Sequence, residues 1–326
     1  MDYKVSIKEY CNNLGLNLVG FTQCRGFDEL RDFFTKRKES GMENEFEESN
    51  IERRVNPFSY MEDGKTIISI AFPYAYESKS DESVYFSKYT RGEDYHQVVS
   101  KYLEKICSFI NGIGGAAIYF VDSTGLPERY IAYKCGIGFI GKNGMIITEE
   151  YGSYVFLGEI ITNLEIQSDK PTLSTCENCN LCIKACPTRS ILKEENNPNI
   201  CLSYITQKKD IEDKWFKLFN GRLFGCDTCQ EVCPHNVDVK FSPIKEFEPK
   251  EYMEKPNIKE LINIDKKYFN EKYKITSCGW RGKNIIQRNA LINLSIKNSI
   301  DENSIKNINS PYVKEYYFRL LKNSNL

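Results

Sequence analysis

Eight of the chain's thirteen cysteines fall between Cys176 and Cys233, and their spacing constrains the fold more than any other feature. Cys176-x2-Cys179-x2-Cys182-x3-Cys186-Pro187 has the spacing of a bacterial ferredoxin run. A second run, Cys226-x2-Cys229-x3-Cys233-Pro234, lacks a first cysteine, and Cys201 upstream supplies one. In two-cluster modules the fourth cysteine of a run crosses to the other cluster. The spacing therefore predicts one [4Fe-4S] cluster on Cys176, Cys179, Cys182 and Cys233, and another on Cys186, Cys201, Cys226 and Cys229. The competing reading is a pair of four-cysteine zinc sites, which also use CxxC pairs, although x2-x2-x3-Cys-Pro is not zinc-ribbon spacing. The scattered Cys11, Cys24, Cys107, Cys135 and Cys278 read as small buried hydrophobes.

A length of 326 residues suggests two or three domains, and 41% apolar with 27% charged residues gives a globular chain with material for a core. No stretch approaches the ~20 apolar residues needed to span a bilayer, and the N-terminal text lacks the pattern of a signal peptide. The expectation is a cytosolic protein without membrane association, in which reducing thiol pools make metal a better use of thirteen cysteines than disulfides. A net charge of -1 excludes a polycationic coat. Residues 251 to 326, however, hold 14 Lys and Arg against 8 Asp and Glu, so this end carries about +6.

Residues 1 to 165 alternate helical and strand-like text. SIKEYCNNLG reads as a helix, LNLVGFT as a strand and KTIISIAFPY as a buried strand. Asp94 is placed to cap a helix with apolar residues at three- and four-residue steps from Tyr95 to Phe109. AAIYFVD, MIITEE and SYVFLGEIIT read as further strands, with PERYIAYKCG helical. Residues 166 to 245 are rich in cysteine and proline. From 246 to 326 helical spacing returns in IKELINI, NIIQRNALINLSI and VKEYYFRLL. The expected class is α+β: an N-terminal α/β domain, a ferredoxin-like middle and a short α-helical end.

Gly136-Ile-Gly138-Phe-Ile-Gly141 matches the dinucleotide fingerprint, and with Lys142 it nearly matches a P-loop. Both motifs need a strand before and a helix after. Here the order is reversed and Asn143 stands where Ser or Thr would hold magnesium, so a tight turn is expected instead.

Several stretches together resemble one family, the epoxyqueuosine reductases. They are RRVNP (Arg53 to Pro57), RGEDYH (Arg91 to His96), VDSTGLPERYIAYKCGIGFIGKNG (Val121 to Gly144), YGSYVFLGEIIT (Tyr151 to Thr162), CLSYIT (Cys201 to Thr206) and GCDTCQEVCPHN (Gly225 to Asn236), with the first cysteine run. The resemblance implies a cobalamin-binding domain over 1-165, a two-cluster ferredoxin-like domain over 166-245, and a HEAT-like tRNA-binding region over 246-326. It implies reduction of the epoxide of epoxyqueuosine at the tRNA wobble position, fed by an external one-electron donor of the flavodoxin or ferredoxin class, in a monomer. Asp122 matches the family's proton donor, and Arg54, Ser203, Asp227 and Thr228 match positions lying against cobalamin. Lys142 and Asn143 belong to the motif without an assigned role.

Spacing alone allows blander readings: a helix cap for Asp122, solvated charge for Arg54, loop hydrogen bonding for the others, and a surface or capping role for His96. Arg281, Lys283 and Arg288 are the candidates for phosphate contact, or else an ordinary solvated helix face. Two departures from the family stand out. His235 replaces the usual tryptophan after the last Cys-Pro, and the helical end is shorter than in many members. The rival functions are a reductive dehalogenase, a cobalamin-free electron-transfer protein and a zinc-stabilised nucleic-acid binder.

Overall fold

The computed structural model describes residues 2–77, 83–122, 125–192, 196–297, 299–300 and 308–324. Helix α1 (Tyr3–Asn13) begins where the Asp2 carboxylate accepts the Val5 N–H. Strand β1 (Val19–Gln23), helices α2 (Arg31–Glu39) and α3 (Ile51–Val55), strand β2 (Thr66–Pro73) and the short β3 (Tyr85–Phe86) follow. Asp94 caps α4 (Tyr95–Gly112) as expected, its side chain accepting the His96 N–H. Next come β4 (Ala117–Phe120), α5 (Glu128–Lys134), the hairpin of β5 (Phe139–Ile140) and β6 (Ile146–Ile147), and β7 (Val155–Thr162).

The sheet order is β1-β2-β7-β4, and every neighbouring pair is antiparallel, with Ile67 opposite Ile161 and Ile118 opposite Ile161 on its other side. The N-terminal unit is therefore α+β, which corrects the α/β expectation. Alternating helices and strands look the same in sequence whether the strands return parallel or antiparallel. Both faces of the sheet are covered. Ile68, Ile70, Phe72 and Ile160 pack under α1 and α4, while Ile67, Ala71 and Ile161 pack under α2, α3 and α5. Double burial explains why β2 reads as an apolar run broken within only by Ser69.

The cysteine-rich segment carries short elements, α6 (Leu181–Ala185), α7 (Leu202–Gln207), β8 (Arg222–Phe224) and α8 (Thr228–Glu231), with β8 parallel to β3. Helices α9 (Glu251–Glu254), α10 (Ile258–Ile262), α11 (Lys266–Tyr268), α12 (Lys283–Ile296) and α13 (Pro311–Ser324) complete the chain. A single core joins Phe86, Leu202, Ile205, Phe219, Leu223 and Phe224 to Ile286, Ala290, Leu291, Val313 and Tyr316.

Within that core lies Arg288, fully buried, which removes it as a phosphate contact. Its guanidinium donates to the carbonyls of Thr206, Lys208 and Lys209 and to Tyr312 Oη. Arg281 and Lys283 keep partial exposure, though Arg281 Nε donates to the Gln207 carbonyl at 2.7 Å.

Candidate functional site

Asp122 follows β4 with φ of 52°, in the left-handed region that Asp adopts more readily than most residues. It does not cap α5, whose first turn follows Pro127. Instead Glu128 reaches back and accepts the Asp122 N–H at 2.6 Å. Ser123 and Thr124 of the VDSTG stretch lie outside the described residues.

The Asp122 carboxylate is about half exposed, and its Oδ2 faces two side chains from the first turn of α4: Tyr95 Oη donates to it at 2.5 Å and His96 Nε2 lies at 2.9 Å. His96 Nδ1 lies 2.7 Å from Asp94 Oδ1, so the imidazole bridges two carboxylates. Partial burial draws the Asp122 carboxyl up, but the hydrogen bonds from His96 and Tyr95 outweigh it and hold it below its ordinary value. Burial draws the His96 imidazole down, and Asp122 and Asp94 together raise it to about 9. At neutral pH the proton shared by this pair resides on His96.

This makes a pH prediction. A histidine raised from 6.5 to about 9 stabilises the fold fully below 6.5, and that contribution fades as pH rises through about 9. On the acid side the depressed Asp122 contributes above the unfolded aspartate range, and its contribution is lost as pH falls below it. NMR titration of His96 should give a midpoint near 9 that moves down in Asp122→Asn. A wild-type midpoint at 6.5 would contradict the bridged geometry.

Behind Asp122, Glu159 of β7 is fully buried, with Ser69 Oγ donating to its Oε1 at 3.2 Å. Burial and the neighbouring Glu128 carboxyl push it well above its ordinary value. The sequence reading missed His96, Tyr95, Glu128 and Glu159. The RGEDYH stretch was the available signal for the first two.

The Cys226–Cys229 interval forms a second centre. Asp227 is 1% exposed; its Oδ2 accepts the Lys88 N–H at 2.8 Å, while the buried Oδ1 has no hydrogen-bond partner among the described residues. Burial raises its carboxyl to about 6. The Ser87 hydroxyl is likewise buried without a partner among the described residues, beside Gly225, where φ is positive and a Cβ would lie 2.0 Å from Ser87 Oγ. Buried polar atoms are rarely left unsatisfied, so this pair marks a place where a polar ligand belongs.

Tyr89 connects the two centres. Half-buried, it accepts a hydrogen bond from Gln207 Nε2 at 3.3 Å, and its hydroxyl is raised by burial first, then by the charge of Asp227 and, more weakly, by that of Asp122. Asp227 and Asp122, distant in sequence, thus both act on one tyrosine. Two other positions are engaged internally. Thr228 Oγ1 accepts from Arg222 Nη2 at 2.5 Å. Arg54 is not a solvated charge: it stacks 3.8 Å over the Phe34 ring and pairs with Glu43 and Glu47 at 3.5 and 3.4 Å.

The cysteines gather in two neighbouring groups. Cys176, Cys179, Cys182 and Cys233 line a cavity of about 150 Å³ together with Leu181 and His235. Burial raises the Cys229 thiol, and the next influences on it are Cys201, Cys226, Cys182 and Cys186. Among the described residues no three candidate ligands converge tightly enough for a single ion. A cubane asks for thiolates spread around a cage. The five scattered cysteines are all buried.

Lys142 supports the first group, donating to the carbonyls of Glu177 and Cys179 at 2.7 and 2.8 Å. The glycine run before it makes a close-packed hairpin: a Cβ on Gly138 would lie 2.2 Å from the Ile147 carbonyl oxygen. Gly138→Ala should therefore cost about 1–3 kcal/mol by overpacking. Thermal unfolding checks this, and an unchanged midpoint would contradict it.

Comparison with known proteins agrees with this geometry. Residues 175–236 match the family model described as 4Fe-4S double cluster binding domain, and residues 54–123 match that of Epoxyqueuosine reductase QueG, DUF1730. The epoxyqueuosine reductase of Lactococcus garvieae is 36% identical over 305 residues, covering 90% of this chain and 87% of that protein. A crystal structure of epoxyqueuosine reductase with an epoxyqueuosine-modified tRNA-Tyr stem loop superposes with a TM-score of 0.92 at 33% identity, covering 98% of this chain and 90% of that one. The Bacillus subtilis enzyme, captured with its catalytic loop swung out of the active site, superposes with a TM-score of 0.92 at 32% identity over the same shares. With two antiparallel-sheet faces packed, a double-cluster segment beside them and similarity along nearly the whole chain, this protein belongs to the epoxyqueuosine reductase family of oxidoreductases.

Proposed function

We propose that the chain reduces the epoxide of epoxyqueuosine at the wobble position of tRNA to the cyclopentene of queuosine, using cobalamin supplied with electrons by two [4Fe-4S] clusters. The observation that carries this reading is the unsatisfied buried Asp227 set between cluster-type cysteines, acting on Tyr89 together with the hydrogen-bonded His96–Asp122 pair. Three segments divide the work: 1-165 for cobalamin and chemistry, 166-245 for the clusters, and 246-326, helical and basic, for tRNA.

The reaction consumes two electrons and two protons and releases the epoxide oxygen as water. Cobalamin, when bound, supplies low-valent cobalt as the reductant of the epoxide carbon, chemistry no side chain provides. The unsatisfied Asp227 Oδ1 and Ser87 Oγ fit a ligand rich in amide donors and acceptors, and Ser203 joins them in the proposed set. Arg54 and Thr228 complete the proposed cobalamin set by shaping its walls, since their polar atoms face protein partners.

Opening an epoxide develops charge on oxygen that a positioned acid must neutralise. Asp122 is that acid in our reading. Exclusion of water by RNA disfavours the charged pair, shifting the proton from His96 Nε2 toward Asp122 Oδ2, 2.9 Å away. Tyr95 and the Glu128 acceptor for the Asp122 N–H hold the carboxyl in place. A loop that must be held is in keeping with the Bacillus subtilis relative, in which the catalytic loop is found swung out.

Of the candidates for RNA contact, Arg281 and Lys283 stand and Arg288 does not. Phosphate recognition by such residues is sequence-independent and salt-sensitive. The electron donor belongs to the flavodoxin or ferredoxin class, and the enzyme works as a monomer. Anaerobic incubation of the reconstituted protein with cobalamin, reductant and epoxyqueuosine-containing tRNA, followed by nucleoside mass analysis, should show loss of one oxygen. Bound and reducible cofactors without conversion would sink the proposal and favour small-molecule reduction, as in a dehalogenase.

A further inference from the structure

We propose that Arg222 is the built-in counter-charge of the cluster held by Cys186, Cys201, Cys226 and Cys229, and that it raises this cluster's potential above that of the other, so that electrons run from the Cys176 group toward Asp227 and Thr228. The inference rests on the two-cluster reading above and adds a direction to it.

Arg222 opens β8, four residues before Cys226, and is 7% exposed. Its Nε donates to Cys226 Sγ at 3.3 Å, its Nη2 to Thr228 Oγ1 at 2.5 Å, and its Nη1 to the Phe219 carbonyl at 3.1 Å and the Leu218 carbonyl at 3.5 Å. Thr228 Oγ1 in turn lies 3.5 Å from Cys226 Sγ. Every other buried guanidinium discussed above has either carboxylates, as Arg54 does, or a full set of carbonyl and side-chain oxygens, as Arg288 does. Arg222 instead spends a donor on sulfur, and among the described residues no carboxylate lies within ion-pair distance of it. A buried cation without an anion is costly, so its partner is the thiolate and the negative cluster that thiolate ligates.

Among the described residues the Cys176 group has no equivalent. Lys142, which organises that group, directs its donors to the carbonyls of Glu177 and Cys179 and to Asn180 Oδ1, none to a thiolate. Reduction adds one negative charge to a cluster, and a cationic N–H···S donor stabilises that charge; hydrogen bonds to the sulfurs and local charge are established determinants of cluster potential. One electron leaving the external donor therefore reaches the Cys176 group first and passes to the Arg222-paired cluster, the one whose ligands flank Asp227.

The test is a potentiometric titration of the anaerobically reconstituted full chain, with dithionite as reductant and both clusters followed by electron paramagnetic resonance. Cys226→Ala identifies the signal of the Arg222-side cluster. In Arg222→Gln that cluster's midpoint should fall by at least the 59 mV that corresponds to a tenfold change for a one-electron couple, while the other stays fixed. Arg222→Lys, which keeps the charge and loses the fork, should fall less. If the Gln variant does not hold its clusters, the Lys variant decides: a fall confined to one couple supports the proposal. Unchanged midpoints in a variant with full iron content overturn it. Wild-type protein that takes up only one cluster, or none, overturns the two-cluster reading itself.

Discussion

Asp122→Asn should reduce turnover of epoxyqueuosine-containing RNA by about 10²–10⁴-fold, the usual worth of a positioned general acid. The amide preserves shape and can still accept from Tyr95 and His96, but it carries no proton to give. Its neighbours argue that the effect falls on chemistry and not on assembly. Asp122 is half exposed, sits outside the apolar cores, and is held from its backbone by Glu128. Iron content, cobalamin uptake and RNA affinity should therefore match the wild type. Single-turnover rates with saturating RNA check this, and a variant that binds everything and turns over normally would remove Asp122 from the mechanism.

Arg288→Met should destabilise the protein by about 3–5 kcal/mol, since each buried acceptor that loses its donor costs about 1–3 kcal/mol. Methionine replaces the volume of the stem and none of its donors. Three backbone carbonyls at and just beyond the end of α7, those of Thr206, Lys208 and Lys209, would lose the guanidinium as a donor, and the buried Thr206 carbonyl would keep only Asn289. A cation at a helix C-terminus is also favoured by the helix dipole. Because α7 begins after Cys201 and carries Ser203, the loss should reach the site: lower iron content should accompany a fall in the unfolding midpoint on the order of 10 °C. Arg288→Lys should recover part of both. A midpoint within 2 °C of wild type, set against that expectation, would mean the guanidinium network contributes nothing net.

Arg288 also shows where the sequence could be read and where it was misread. Counting charge at the C-terminal end gives a basic face, and charge counting treats every arginine as solvated. Helical spacing says otherwise: Ile285, Leu291 and Ile292 lie three or four residues either side of Arg288, so it belongs to the buried stripe of α12. The cysteine runs were legible because ligand spacing is set by the cluster and not by the surrounding fold. The same holds for the Asp94 cap of α4 and the doubly buried β2, whose signals are local.

Strand direction was not legible, because an antiparallel return and a parallel crossover need the same alternation of elements. Glu159 was hidden for a related reason. A charge within VFLGEIIT suggests a solvated face, yet that face is covered by α5, which brings Glu128 to it. His96 looked like a first-turn surface residue, and only the left-handed turn at Asp122, 26 positions away, makes it part of the site.

The central claim is that this site reduces an epoxide on RNA with Asp122 as the proton source. The most direct measurement is mass analysis of the wobble nucleoside after anaerobic reaction of wild type and Asp122→Asn, each with its clusters and cobalamin verified as bound and reducible. The account predicts loss of one oxygen with the wild type and retention of the epoxide with the variant over the same period. Equal conversion by both, or conversion by neither, would contradict it.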